Sequence, residues 1–300
     1  MARRDFWHAE VRASEVIVKK NISVLPVDPF AIAASEQISC EKISAVSPGI
    51  SGCLLKSGDQ FGIFYSDSFP NDGFRRFTVA HELGHYFLDG HYEYVFADGS
   101  VRHLSDSGFM SENRYEREAD AFAAALLMPE TLFRTAAARI TPGLRAVETL
   151  AAQCGTSLTA TAIRYAVLSD DPIAVVCSKE NRVQFAFMSE PLKQRRDLTW
   201  PKKNSGIPDG TATHRFNRDP KNVAQSKRMT STALMDVWFD CGGTAYFSEE
   251  VVGLGPSYGL TLTILVAEPK PDPDYEEEES EEGNLENMLP SDRWRQPRED

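Results

Sequence analysis

His81 and His85 lie four residues apart with Glu82 between them, in a stretch whose residues Phe77, Ala80, Leu83, Gly84, Phe87 and Leu88 recur at helical spacing over 74–88. A helix brings residues i and i+4 onto one face, so both imidazoles can reach a single metal ion. Glu82 stands beside them, where it can take a proton from a water on that ion. This pattern demands a helix with one face against a core and another facing whatever completes the ligand set. Gly84 sits inside the predicted helix, where glycine costs stability relative to alanine. A glycine there is expected where another element or a ligand comes close.

Two histidines need a third protein ligand, usually leaving a fourth position for water. Glu116 is the candidate, on a second helix predicted over 113–128 and stopped by Pro129. Asp120 follows four residues later on the same face. It can accept the free ring N–H of a ligating histidine and so fix its tautomer. Glu118 is the rival, but at 100° per residue it points about 160° away from Asp120, and Glu116 is preferred for that reason. An oxyanion donor is also needed for hydrolysis. His91, His103 and Tyr115 lie near these motifs in the chain and are candidates. Each, taken singly, reads better as a surface loop residue, and none is placed in the site.

The whole string Glu116-Arg-Glu-Ala-Asp-Ala-Phe-Ala-Ala-Ala-Leu-Leu-Met-Pro129, following the histidine helix, resembles the ImmA/IrrE family of metallopeptidases. Leu25-Pro26-Val27-Asp28-Pro29-Phe30 is similar to that family's usual opening. The resemblance covers about residues 24–168 and is much more specific than the HExxH pattern alone. It implies a zincin-like fold in which His81, His85 and Glu116 hold zinc and Glu82 is the general base. Other divalent ions such as Mn2+ also suit a His/His/Glu set. It further implies a cytoplasmic protein. In several members of the family the substrate is a helix-turn-helix transcriptional repressor, whose cleavage releases a stress response or the excision of a mobile element. The substrate of this chain is not written in the motifs.

Charge is distributed unevenly. Of the net −12, residues 271–300 supply −9, from 12 acidic and 3 basic side chains. With almost nothing apolar to bury, this tail is expected to be disordered. Residues 193–228 hold 10 Lys/Arg against three Asp, with several Pro and Gly, and read as a basic loop. The two segments nearly cancel, so charge alone does not argue for nucleic acid. The five cysteines are an odd count with no CxxC pair, which excludes a dense disulfide framework or a zinc ribbon and points to a reducing compartment. No stretch approaches the roughly 20 apolar residues of a membrane-spanning helix.

Around these motifs the expected order is a helix at 26–39 capped by Asp28, strands at 42–46, 52–56 and 60–65, the histidine helix, and a loop or small sheet at 89–110. The second helix follows, then a helix from Pro129 to about 140. Residues 144–168 resemble a helix-turn-helix with the turn at Gly155. A DNA-reading helix carries Arg, Lys, Asn or Gln outward, and the second helix here offers only Arg164 with Thr159 and Thr161. A hairpin packed on the core is therefore preferred. Strands are expected at 173–177, 183–188, 234–239, 243–247 and 260–267.

The fold class is α+β. A zincin-like metallopeptidase core spans 1–142, a helix-turn-helix-like helical hairpin 143–170, and a β-rich C-terminal region 171–268 with the basic loop at 193–228. The disordered acidic tail spans 269–300. The expected function is a zinc-dependent endopeptidase acting on a protein regulator, with no membrane partner. One rival is a metal-containing protein that holds a partner without cutting it. Another is a DNA-binding regulator using the hairpin and the basic segment.

Overall fold

A computed structural model describes residues 6–44, 50–66, 72–106 and 113–268. The acidic tail expected at 269–300 lies outside the described residues, as do the ends of the predicted strand at 42–46 and of the loop at 89–110. The described residues form one compact unit ending at Glu268. Its first part runs α1 (Trp7–Lys19), α2 (Pro29–Ser35), β1 (Ser39–Ile43), β2 (Ile50–Ser57), β3 (Gln60–Ser66), α3 (Asp72–Phe87), α4 (His91–Val95), β4 (Arg102–Asp106) and α5 (Arg114–Leu127). Then come α6 (Glu130–Ala137), α7 (Leu144–Cys154), α8 (Leu158–Leu168), β5 (Ile173–Lys179), β6 (Arg182–Met188) and α9 (Glu190–Lys193). The chain continues with α10 (Ala212–Asn217), α11 (Pro220–Ala224), β7 (Arg228–Leu234), α12 (Met235–Phe239), β8 (Tyr246–Gly253) and β9 (Thr261–Glu268).

The first sheet has the order β1-β3-β2-β4. β1 runs parallel to β3, and β2 is antiparallel to both β3 and β4. The β2–β3 hairpin closes with Ser57 opposite Gln60, and Gly58 takes a left-handed φ of +61° at the turn. α3 packs on this sheet through Val79, Ala80 and Leu83 against Leu54 and Ile63. The same core holds Phe122 and Leu126 of α5 and Ala9, Ala13 and Val16 of α1. Each large side chain buried there contributes roughly 1.5–3 kcal/mol. α1 is absent from the expected element order, although its buried Ala9, Ala13, Val16 and Ile17 follow helical spacing.

Local chemistry sets the helix starts. Asp28 accepts the backbone N–H of Phe30 at 2.9 Å, with Pro29 as the first helical residue, but α2 is shorter than the predicted 26–39. Asn113 accepts the N–H of Tyr115 at 2.9 Å, which puts Glu116 in the first turn of α5. Gly155, at φ +63°, ends α7, and Ser157 caps α8 by accepting the N–H of Ala160 at 3.2 Å.

α7 and α8 bury Val147, Leu150, Cys154, Ala162, Tyr165 and Ala166 in a second core shared with β5 and β9. Arg164 is buried here. Its guanidinium donates to the carbonyl of Met128 at 3.2 Å and to Glu10 at 3.0 Å, tying α8 to the end of α5 and to α1. The candidate base-reading side chain is thus engaged inside the protein.

The second sheet is antiparallel throughout, in the order β6-β5-β9-β8-β7. Two expectations need correction. The strand predicted at 234–239 is the helix α12, which buries Met235, Trp238 and Phe239, and the strand lies before it at Arg228–Leu234. A short apolar run does not distinguish strand from helix by periodicity. The region read as a basic loop, 193–228, contains α10 and α11. Glu249, wholly buried on β8, accounts for the start of α10. It accepts the N–H groups of Ala212 and Thr213, at 3.0 and 2.8 Å, and the Thr213 hydroxyl at 2.6 Å. A carboxylate 36 residues away thus joins the local cap Thr211, which accepts the N–H of His214 at 3.1 Å, in satisfying the helix start.

Cys154 and Cys177 are buried free thiols, pushed by burial up to about 11 and about 12, which leaves them unreactive. No helix among the described residues is long and apolar enough to cross a membrane. Replacing Arg164 with Met leaves Glu10 and the Met128 carbonyl without their buried partner. The expected loss is about 1–3 kcal/mol in urea unfolding. An unchanged midpoint would show that this contact does not hold α1, α5 and α8 together.

Candidate metal centre

α3 and α5 meet at Gly84 and Ala119. A Cβ added to Gly84 would lie 3.0 Å from Ala119 Cα and 3.2 Å from its Cβ, so the two helices touch backbone to backbone. This accounts for the glycine inside the motif. It also brings side chains one turn either side of the contact within reach across the interface. His81 Nε2 lies 3.1 Å from His85 Nε2 and 3.3 Å from Glu116 Oε2, and His85 Nε2 lies 3.4 Å from Glu116 Oε1. One ligand atom from each of the three residues falls within 4.8 Å of the others. Tetrahedral zinc with bonds near 2.0–2.1 Å separates its ligands by about 3.3 Å. The donor set and its spacing therefore fit a divalent ion of this kind.

The surrounding groups fit as well. Asp120 Oδ1 accepts the Nδ1–H of His81 at 2.9 Å, leaving Nε2 turned to the cluster. Glu82 is fully buried, neither of its carboxylate oxygens has a partner at hydrogen-bond geometry among the described residues, and the Ser105 hydroxyl, itself unpaired, is the donor that favours its charged form. A buried, unpaired carboxylate is costly unless a further group completes its surroundings. Gly52 on β2 makes room for it. A Cβ there would stand 2.5 Å from Thr78 Cγ2 and 2.8 Å from Glu82 Oε1.

Burial and pairing divide the titrating groups. Burial opposes charge on His81, but the hydrogen bonds to Asp120 and Glu116 outweigh it and raise its pKa to about 10. Burial lowers His85 to about 3. Burial also disfavours the Glu116 carboxylate, yet hydrogen bonds from His103, His81 and His85 hold it well below the usual range. Burial raises Glu82. The metal-free cluster thus favours a cationic His81, a neutral His85 and an ionised Glu116.

The residues singled out from sequence come together: His81, Glu82 and His85 on α3, with Glu116 and Asp120 on α5. Glu118 points elsewhere and is bonded to His91, so it is not in the ligand cluster. Two residues left out of the site lie beside it. His103 Nε2 on β4 is 3.0 Å from Glu116 Oε1. His91 Nδ1 is 3.3 Å from His85 Nδ1. Their sequence signal was only proximity to the motifs. Tyr115 stacks on Tyr94 with ring centroids 3.8 Å apart and meets His91 edge-on at 5.0 Å, forming a wall of the His91 pocket.

Two outcomes follow from this geometry. Metal binding displaces the proton held on His81. Below about pH 10 that proton competes with the ion, so zinc affinity should rise with pH from 6.5 towards 10. Calorimetry at pH 7 in buffers of different ionisation enthalpy should record release of about one proton per zinc. No proton release would contradict the His81 assignment. Gly84→Ala should push α3 and α5 apart, costing about 1–3 kcal/mol in urea unfolding and weakening zinc binding as well. Full retention of both would mean that the contact does not set the cluster.

No curated protein matches the chain. Among solved structures, a Mycobacterium tuberculosis transcriptional regulator is similar in fold, with a TM-score of 0.56 and 14% identity, over 87% of this chain and 76% of that one. Residues 62–165, which span β3 to α8 and contain every residue of the cluster, match the peptidase M78 family, the IrrE N-terminal-like domain. The match starts later than the expected resemblance at 24, so the Leu25–Phe30 segment lies outside it. Residues 62–165 thus carry an IrrE N-terminal-like domain, in keeping with the ImmA/IrrE resemblance of the motifs.

Proposed function

We propose that this protein is a zinc-dependent endopeptidase that cuts a protein regulator, with a helix-turn-helix transcriptional repressor as the substrate class, and that it acts in the cytoplasm. The observation that carries the reading is Glu82. A buried carboxylate without a partner adjoins two imidazole nitrogens and a carboxylate spaced for one divalent ion. A structural zinc site of two histidines and one glutamate has no use for such a group, whereas hydrolysis needs a base there.

His81, His85 and Glu116 would hold the ion. When bound, it supplies an acidified water and an electrophile for the scissile carbonyl. Glu82 accepts the proton of the attacking water and later delivers it to the leaving amine. Burial raises its pKa, which favours its holding the proton it takes up. Asp120 keeps His81 in the tautomer with a bare Nε2. His103 holds the Glu116 carboxylate in orientation. The DNA-binding alternative has less support, because Arg164 is engaged with Glu10 and Met128.

Elemental analysis should find about one zinc per chain in the wild type and in Glu82→Gln, and none in Glu116→Ala. Incubation with helix-turn-helix regulators encoded near its gene should yield a discrete cleavage that Glu82→Gln abolishes, a loss of at least about 100-fold in rate. Cleavage that persists in Glu82→Gln, or a wild type that takes up no zinc, would overturn the proposal.

A further inference from the structure

We propose that Glu118 and His91 form a relay that fixes the tautomer and orientation of the metal ligand His85. The inference rests on the reading of His81, His85 and Glu116 as a metal centre. It assigns a role to the second glutamate of the α5 string and to a histidine outside both motifs.

His91 is the first residue of α4 and is buried. Its Nε2 lies 2.9 Å from Glu118 Oε2, and its Nδ1 lies 3.3 Å from His85 Nδ1. Glu118 is itself buried. Arg114 Nε donates to its Oε1 at 2.5 Å, and His8 Nε2 is 3.3 Å from Oε2. A carboxylate that receives a guanidinium N–H on Oε1 accepts from the imidazole on Oε2. The proton between His91 and Glu118 therefore sits on His91 Nε2. A neutral imidazole protonated at Nε2 offers Nδ1 as an acceptor. Two facing Nδ1 atoms need one proton between them, and it is then supplied by His85. His85 is left with a bare Nε2, the atom that faces His81 Nε2 and Glu116 Oε1.

The two histidines on α3 are thus oriented by different routes. Asp120 shares a helix face with Glu116 and reaches His81 directly. Glu118 lies on the other side of α5, about 160° around from Asp120, and an imidazole spans the gap to His85. Outer partners of this kind typically change metal affinity 10–100-fold when removed.

The test uses the full chain. Zinc affinity is measured by chelator competition, the cobalt(II) form by its visible spectrum, and the metal-free form by its melting temperature. His91→Leu and Glu118→Leu should each weaken zinc about 10–100-fold and alter the cobalt spectrum. His91→Asn places an amide oxygen where Nδ1 stood, able to accept from His85, and should recover affinity to within about threefold of wild type. If either leucine variant fails to fold, His91→Asn beside His91→Ala carries the comparison. Leucine variants that lower the metal-free melting temperature but leave zinc affinity and the cobalt spectrum unchanged would overturn the relay, since His91 and Glu118 would then only pack. A wild type that binds neither zinc nor cobalt would instead sink the metal reading on which the relay rests.

Discussion

The site depends on one backbone contact, Gly84 of α3 against Ala119 of α5. Side chains on crossing helices meet within a few ångströms only where the helices touch, and the absence of a Cβ at Gly84 allows that. One turn away along α3 lies His81, and His85 is adjacent. Across the contact, Glu116 and Asp120 stand three residues before and one after Ala119. The ligand cluster and the carboxylate that orients His81 are therefore consequences of how closely two helices approach.

That approach concentrates polar groups in a buried place, and the surroundings are built to tolerate them. Desolvated imidazoles and carboxylates are unfavourable unless paired and hydrogen-bonded. Asp120, His103, His91, Glu118, Arg114 and His8 supply partners in successive layers from the cluster outward. Glu82 is different, with both oxygens, like the Ser105 hydroxyl on β4, unpaired among the described residues. An unsatisfied buried carboxylate beside the ligand cluster suits the base that the proposed hydrolysis needs.

The second half of the unit is joined to this core by specific polar contacts as well as by packing. Arg164 links α8 to α1 through Glu10. Glu250 on β8 accepts the N–H of Leu144 at the start of α7 at 3.0 Å. α7 and α8 share their apolar residues with β5 and β9. The helical segment resembling a DNA-binding hairpin thus serves here as the layer between α6 and the five-stranded sheet.

Local periodicity and the breaks at Pro129 and Gly155 were enough to read α3, α5, α7 and α8, because their apolar faces and these residues are contiguous in the chain. The same spacing put His81 and His85 on one face and separated Glu116 from Glu118. The five-residue run at 235–239 is apolar in a way that either secondary structure satisfies, and its helical state was settled by burial of Trp238 and Phe239. α10 starts where Glu249 reaches it from β8, a partner no local window contains. His91 and His103 belong to the surroundings of the site because α4 and β4 fold back over α3 and α5. A single sequence records which residues are near in the chain. Which imidazole lies 3 Å from which carboxylate across the fold is decided by packing alone.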